Sequence, residues 1–150
     1  MIVKGNHEFA VSIQKLWSYL MDPVVLAKIT PGISELEPQG ENKFKSISKI
    51  KIGPVKSSFT GNMEVVNKQE PTSFTIQMEQ LSKIGNAHVK VDMQLSEKGD
   101  NTTLLAFDGK ADLSGVIART GQRVLSGVAN AITKEVFAAL EAHIAEEVVS

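Results

Sequence analysis

The chain has 150 residues, of which 42% are hydrophobic and 22% are charged, which is the size and composition of one soluble globular domain. The 16 basic and 17 acidic residues give a net charge of -1, so no nucleic-acid partner is expected. The absence of cysteine excludes disulfides, thiolate metal sites and cysteine nucleophiles, and it is typical of proteins in a reducing compartment.

Neither a secretion signal nor a membrane span is visible in the hydropathy pattern. Residues 1–10 lack the basic patch and apolar run of a signal peptide. No stretch approaches the roughly 18 consecutive apolar residues that span a bilayer. We therefore expect a single cytoplasmic domain over residues 1–150, whose contact with a membrane is at most peripheral.

The first elements in chain order are a strand and two short helices. Residues 2–10 alternate apolar and polar side chains with the period of a half-buried strand. Ser12 is a candidate N-cap for a short helix through Met21, and Asp22-Pro23 is a second cap with proline at the first helical position. The second helix is expected to end near Pro31-Gly32.

From Ile33 to Leu113 the apolar period returns to two, which predicts an antiparallel meander of six strands. The signals that mark its turns are Gln39-Gly40, Gly53-Pro54, Glu70-Pro71 and Gly99-Asp100-Asn101.

After Leu113 the spacing of apolar residues changes to three and four, which predicts one amphipathic helix from Val116 to about Glu147 with Ser114 as its cap. The complete order indicates an α+β class. We expect a helix-grip fold, in which a seven-stranded curved antiparallel sheet wraps around a long C-terminal helix, with two short helices after the first strand.

Several local motifs, taken in order, carry a resemblance to a known family. They are Asp22-Pro23 with Pro31-Gly32, Lys51-Ile52-Gly53-Pro54-Val55-Lys56, Phe59 with Gly61, and Gly121-Gln122-Arg123 leading into Phe137. The chain resembles the CoxG family, which is named for the G subunit of carbon monoxide dehydrogenase and belongs to the START-like (SRPBCC), or helix-grip, superfamily.

The resemblance implies a small cytoplasmic accessory protein, often associated with molybdenum hydroxylases such as carbon monoxide dehydrogenase. It also implies fold relatives that bind lipids, quinones or other apolar molecules. It implies neither a cofactor nor a set of catalytic residues.

Strand alternation gathers apolar side chains on the sheet face that is expected to meet the long helix. They are Phe59, Met63, Ile76, Met78, Val89, Val91, Met93 and Phe107. Methionine adapts to ligands of irregular shape, although it also fills ordinary cores. Leu125 and Trp17 complete the predicted cavity, although Trp17 can also simply be a core residue. Gly121 is included because a glycine inside a helix costs about 1 kcal/mol and suggests that space is needed there.

Four polar residues are candidate contacts for a ligand head group. His7 is predicted to point inward from the first strand, where it can donate a hydrogen bond or act as a base, or can simply be a satisfied core histidine. Ser48 and Ser57 also point inward. Arg123 can receive an anionic or carbonyl group at the cavity mouth, or can be an ordinary surface arginine. The histidines are too scattered to predict a metal site.

Three functions remain open from the sequence. The first is a carrier of a lipophilic small molecule, such as a quinone or lipid, that serves a molybdenum hydroxylase. The second is an enzyme of the polyketide cyclase or dehydratase type. The third is an assembly factor that docks through an outward row of lysines, namely Lys43, Lys45, Lys49, Lys51 and Lys56, which equally well forms a solvated sheet face.

Overall fold

The computed structural model describes the backbone of residues 1–52 and 54–149, and the side chains of that range up to residue 147. The predicted turn at Gly53-Pro54 therefore lies partly outside the described residues, at Gly53. The elements are β1 (Ile2–Phe9), α1 (Ile13–Leu20), α2 (Pro23–Ile29), β2 (Ile33–Gly40), β3 (Lys43–Ile52), β4 (Val55–Gln69), β5 (Ser73–Ser82), β6 (Gly85–Gly99), β7 (Thr102–Leu113), α3 (Gly115–Arg119) and α4 (Gln122–Val149).

The strands form one antiparallel seven-stranded sheet in the order β1-β7-β6-β5-β4-β3-β2. From β2 to β7 each strand pairs with the next, which confirms the predicted meander. The backbones of β4 and β5 come very close at Gly61, where a Cβ would lie 1.7 Å from the carbonyl oxygen of Glu79. A glycine at such a close approach marks strong local curvature, which a sheet needs in order to wrap around a helix.

Both short helices begin at the predicted caps. The Oγ of Ser12 accepts a hydrogen bond from the N–H of Lys15 at 3.3 Å, and the Oδ1 of Asp22 accepts one from the N–H of Val24 at 2.9 Å. Pro23 occupies the first turn of α2, where its missing N–H costs nothing. The apolar faces of both helices pack into the same core cluster.

The predicted single helix from Val116 to about Glu147 is wrong in two respects. The structure divides it into α3 and α4. Ser114 stands at the N-cap position of α3 but does not cap the helix with its side chain, and its Oγ instead accepts a hydrogen bond from the N–H of Asn86 at 3.1 Å.

The break between α3 and α4 lies at Gly121, whose φ is +102°. Glycine adopts this left-handed region readily, whereas a Cβ makes it costly. The spacing of apolar residues continues across the break, from Ile117 to Val124, and therefore conceals it.

The apolar core consists of two clusters at opposite ends of the inner face of the sheet. The larger cluster joins α1, α2 and the C-terminal half of α4 to the sheet and includes Phe74, Leu105 and Leu140. The smaller cluster contains Phe59 and Ile117, together with Leu125 from the start of α4. Because α4 contributes to both clusters, it passes over the middle of the sheet.

Candidate ligand-binding site

Six apolar side chains in the middle of the inner face are only half-buried, although α4 passes over them. They are Ile76, Met78, Val89, Val91, Met93 and Phe107. In a filled core, side chains between a sheet and a helix are packed as closely as in an organic crystal, and Leu105 in the larger cluster is only 1% exposed. Each of these six side chains therefore keeps part of its surface in contact with water.

We call the space between these six residues and α4 the interlayer groove. On the helix side it is formed by half-buried apolar residues of α4 at spacings of one, three and four, namely Leu125, Val128, Ile132, Val136 and Phe137. The backbone of α4 comes closest to α2, β1 and β3, and it stands farther from the central strands. This separation leaves room between the two layers.

The strand register places the residues on the sheet side of the groove next to one another. The cross-strand pairs are Met63 with Met78, Met78 with Val89, Ile76 with Val91, and Met93 with Phe107. Directly paired positions bring side chains to about 5 Å from each other. The sheet side of the groove is therefore one continuous apolar surface, three strands wide at the methionines.

Two valines show that the groove is distinct from both core clusters. In the part of the chain that the structure describes, the half-buried Val89 and Val91 pack into neither cluster. Gly109 pairs with Val91, and a Cβ built on Gly109 would find its nearest neighbours at 3.5 Å. A methyl group would fit there in ordinary van der Waals contact, without a clash.

A pocket lies between β7 and the start of α4. It has a volume of about 330 Å³ and is lined by Met1, Ala111, Asp112, Leu113, Ala118, Gln122 and Leu125. Ala111 and Leu113 belong to the inner face of β7, so the pocket lies on the side of the sheet that α4 covers. Its volume is at the lower end of the range for sites that enclose small molecules.

A larger pocket, of about 480 Å³, lies on the outer face of the sheet. It forms above Ala106, whose short side chain stands among longer polar ones such as Lys4, Gln94 and Asp108. Because its lining is charged and polar, this pocket does not suit an apolar ligand.

Polar side chains lie beside the methionines of the groove. Ser46, Gly61 and Gln80 are in register on β3, β4 and β5. Since Gly61 has no side chain, Gln80 reaches across β4, and its Nε2 donates a hydrogen bond to the Oγ of Ser46 at 3.0 Å. The Oε1 of Gln80 is buried without a partner among the described residues, an arrangement that typically costs about 1–3 kcal/mol.

Gln80 was not among the residues predicted from the sequence to contact a ligand. The signal for it was present, because alternation from Met78 places position 80 on the same inner face. What alternation does not show is that the amide extends over Gly61, since this depends on the pairing of β3, β4 and β5.

Three predicted cavity residues are enclosed in the cores at the two ends of the groove. Phe59 is 4% exposed and belongs to the smaller cluster, whereas Met63 is 8% exposed and belongs to the larger one. Trp17 is 5% exposed, and its ring packs edge-on against Phe74 with the centroids 5.5 Å apart. In this structure Trp17 is a core residue of α1.

The two predicted serines lie toward the smaller cluster. Ser48 is buried on β3 and pairs with Phe59. Ser57 is half-buried on β4, pairs with Ile50, and donates a long hydrogen bond of 3.4 Å to the carbonyl oxygen of Ser58. Both serines are thus positioned at the end of the groove nearest α3.

His7 lies at the margin of the sheet, with its ring between Phe9 and Phe137, at centroid distances of 4.7 Å and 5.3 Å. Its Nε2 is hydrogen-bonded to the carboxylate of Glu141 on α4. The side chain is 37% exposed, so His7 is satisfied by a partner but is not enclosed in the core. This contact connects β1 to α4.

The residues predicted around the start of the long helix are exposed. A Cβ placed on Gly121 or on Gly127 would have nothing within 4 Å, so neither glycine makes room for a ligand. For Gly121 this corrects the prediction, because its role is to permit the backbone break. Arg123 is exposed in the first turn of α4, next to Gln122, which lines the pocket beside β7.

The ionisable groups with clearly shifted pKa values lie where the short helices meet the end of α4. Lys28 on α2 donates a hydrogen bond of 2.7 Å to Glu146, and this bond holds the pKa of the Glu146 carboxyl below its usual range. Burial raises the pKa of the Tyr19 phenol on α1, whose ring packs edge-on against His143. These contacts connect the short helices to the end of α4, and they lie outside the groove.

The predicted lysine row is exposed on the outer face of the sheet. Its members are Lys43, Lys45, Lys49, Lys51 and Lys56. Lys51 pairs directly with Lys56 across the β3–β4 hairpin, so the positive charge is most concentrated at that end.

The side chains of the types that bind metals are dispersed over the molecule. Within residues 1–52 and 54–147, no three of them come together. No helix in the described range has the length and apolar character needed to cross a bilayer.

Comparisons with known proteins agree with this architecture. Residues 5–145 match the sequence profile of the CoxG family, named for the G subunit of carbon monoxide dehydrogenase. This chain is similar to the crystal structure of a conserved protein from Geobacillus kaustophilus. The two superpose with a TM-score of 0.93 and share 29% sequence identity, and the match covers 97% of this chain and 96% of that one. No curated protein matches this chain in sequence.

Two more distant structures share the fold. A START superfamily protein from Mycobacterium smegmatis has a TM-score of 0.74 at 14% identity, covering 97% of each chain. The ZhuI aromatase/cyclase from Streptomyces sp. R1128 has a TM-score of 0.72 at 13% identity, covering 99% of this chain and 95% of that one. At such low identity these likenesses concern the fold alone, and they confirm the START-like helix-grip fold that the sequence predicts.

Proposed function

Because this chain belongs to the CoxG family, we propose that it is a carrier that holds a lipophilic small molecule, a quinone or a lipid, in the interlayer groove. The observation that carries this proposal is the half-burial of facing apolar side chains, such as Met78 and Val91 on the sheet and Ile132 on α4. Water on such surfaces is unfavourable by about 25 cal/mol per Å². An apolar ligand that displaces it gains this free energy.

Two features of the groove suit a ligand of variable shape. Methionine side chains on adjacent strands adjust by rotation about their unbranched bonds. Few polar groups interrupt the apolar surface, and those that do, Ser46 and Gln80, are adjacent to each other. A small number of fixed polar contacts is the usual means of orienting a mostly apolar ligand.

The proposed biological role is that of an accessory protein to a molybdenum hydroxylase of the carbon monoxide dehydrogenase type. The exposed lysine row supplies a positive surface for contact with an acidic partner, and opposite charges on two partners accelerate their association. A Lys45→Glu, Lys49→Glu double variant should lose binding to a purified molybdenum hydroxylase from the same genome, measured by surface plasmon resonance. Unchanged binding would exclude the lysine row as the docking surface.

A catalytic role of the polyketide cyclase type would require an acid or base that reaches the groove. His7 was the inward candidate, but its Nε2 is engaged by Glu141 at the sheet margin. The carrier is therefore the function that the geometry favours.

The proposed carrier function can be tested by filling the groove with a larger side chain. In Met78→Trp the indole should fill the space under α4 and abolish binding of the fluorescent apolar probe N-phenyl-1-naphthylamine, while the melting temperature stays within a few degrees of wild type. Gln77→Trp is the matched control, because position 77 lies on the same strand and faces outward. The control should bind the probe as wild type does.

Two results would count against the carrier. One is normal probe binding by Met78→Trp. The other is a melting temperature of Met78→Trp far below wild type, since overpacking of a filled core costs about 1–3 kcal/mol. If Met78→Trp loses probe binding and keeps its melting temperature, native mass spectrometry of the purified wild-type protein, followed by solvent extraction, would identify the natural ligand.

A further inference from the structure

Gln80 Oε1 is the buried side-chain acceptor for which the structure provides no protein partner among the described residues. Two other buried polar side chains of the sheet are hydrogen-bonded within the protein. The Oγ1 of Thr103 donates to the carbonyl oxygen of Val11 at 2.8 Å, and the Oγ1 of Thr75 donates to Asp92 at 2.7 Å. In native proteins most buried polar atoms have a partner, so the exception at Gln80 calls for a physical reason.

In this structure the Gln80 amide lies across β4 with its Nε2 toward Ser46. Ser46, Gly61 and Gln80 stand opposite one another on three adjacent strands, and the absence of a side chain at Gly61 lets the amide lie across β4. Its Nε2 is held by the Oγ of Ser46 at 3.0 Å. The Oε1 is then the end of the amide that has no hydrogen-bond partner among the described residues.

This acceptor lies next to the apolar surface of the groove. Gln80 follows Met78 on the inner face of β5 and pairs with Ala87 on β6, one inward position before Val89. A ligand that covers Met78 and Val89 therefore has its nearest polar neighbour in Gln80. The ligand must offer a donor to this oxygen, because a carboxamide oxygen only accepts hydrogen bonds.

We infer that the molecule carried in the groove bears a hydroxyl group, as an alcohol or a phenol, and donates it to Gln80 Oε1. This inference rests on the proposed carrier function and specifies the class of its ligand. Gln80 is thus a specificity-determining residue, held in position by Ser46 and by the gap at Gly61.

The test compares two probes that differ only in the donor. 4-Octylphenol has a phenolic O–H, and its methyl ether, 4-octylanisole, has the same apolar body and oxygen without the proton. Each competes with N-phenyl-1-naphthylamine for the full-length, delipidated protein. Wild type should bind the phenol roughly three- to tenfold more tightly than the ether, the effect of one net hydrogen bond.

Substitution of Gln80 separates this effect from simple burial. Gln80→Met removes the acceptor at nearly constant volume and should reduce the ratio of the two affinities to about one, mainly by weakening the phenol. Gln77→Met, on the outer face of the same strand, should keep the wild-type ratio. Gln80→Glu, which retains an oxygen acceptor at the same distance, should keep a preference for the phenol.

The outcomes distinguish the two proposals. If wild type binds both probes equally, or binds the ether more tightly because the amide presents its Nε2, the hydroxyl inference is overturned and the carrier remains. A preference for the phenol that persists in Gln80→Met also overturns it. If wild type binds neither probe nor the fluorescent reporter, the carrier function itself fails.

Discussion

Two inward glycines of the sheet have very different surroundings. A Cβ at Gly61 would lie 1.7 Å from a backbone oxygen of β5, whereas a Cβ at Gly109 would have ordinary contacts, the nearest at 3.5 Å. The first glycine is required by the close approach of two strands and by the path of the Gln80 side chain. The second is not required by packing, because a methyl group at this position would make only ordinary contacts.

We expect the two glycine-to-alanine substitutions to differ clearly. Gly61→Ala should reduce the free energy of unfolding by about 2–4 kcal/mol, because a backbone cannot move aside as a side chain can. Gly109→Ala should change it by less than about 1 kcal/mol, and can increase it by restricting the unfolded chain. Urea denaturation followed by circular dichroism measures both. Equal losses would contradict the assigned role of Gly61.

The ion pair between Lys28 and Glu146 gives a prediction that depends on pH. The Lys28 ammonium lowers the pKa of the Glu146 carboxyl, so the pair stabilises the fold above the ordinary carboxyl pKa. This stabilisation is lost as the pH falls through the folded-state pKa of Glu146. Since Glu146 is exposed, the effect on stability is small and is best followed at the carboxyl group itself.

Lys28→Met should therefore raise the pKa of Glu146 toward its usual value, as measured by carbon-13 NMR titration of the carboxyl group. Lys15→Met, an exposed lysine on α1, is the control and should leave the titration unchanged. An identical Glu146 pKa in wild type and Lys28→Met would show that the pair does not form in solution.

At the scale of whole elements, the C-terminal helices show what the spacing of apolar residues predicts and what it misses. The spacing of apolar residues correctly predicts α-helix over almost all of the segment. It does not show the break at Gly121, because both α3 and α4 present apolar residues to the same side of the sheet. The break is visible only in the backbone, where the φ of Gly121 is +102°.

The two glycines of this segment should respond to alanine in opposite directions. Gly121→Ala should reduce the free energy of unfolding by about 1 kcal/mol through backbone strain. Gly127→Ala, at an exposed position inside α4, should increase it by about 0.8–1 kcal/mol through helix propensity. Thermal denaturation of both variants measures the signs. A stabilising Gly121→Ala would mean that α3 and α4 are continuous in solution.

At the scale of the molecule, the division of the core into two clusters determines how much stability is lost when an apolar side chain is truncated at a given position. Leu105 is enclosed in the larger cluster, whereas Met78 packs against the edge of that cluster and is only half-buried. The two side chains are similar in volume, so their removal tests the environment rather than the size.

Leu105→Ala should cost about 2–5 kcal/mol, as expected for a cavity in a closed core. Met78→Ala should cost about 1 kcal/mol, because water already contacts part of the side chain and little apolar burial is lost. Urea denaturation of the ligand-free protein gives both values. Similar losses in the two variants would mean that the space under α4 is closed in solution.

Local patterns in the sequence were sufficient for the order of the elements, the two capped short helices and the inward face of each strand. These features follow from local chemistry, because the period of apolar residues, a side-chain cap or a proline acts within a few positions along the chain. That is why alternation alone could assign Met78, Val91 and Phe107 to one surface.

Long-range packing established the features that those patterns do not contain. They are the separation of α4 from the central strands, the place of Trp17 in the core, and the path of Gln80 across Gly61 to Ser46. Each depends on residues far apart in the chain, since Gln80 and Ser46 are separated by 34 positions. Strand register and the distance between layers are set by the packing of all elements together. The shape of a binding site is the result of that packing, and no local pattern specifies it.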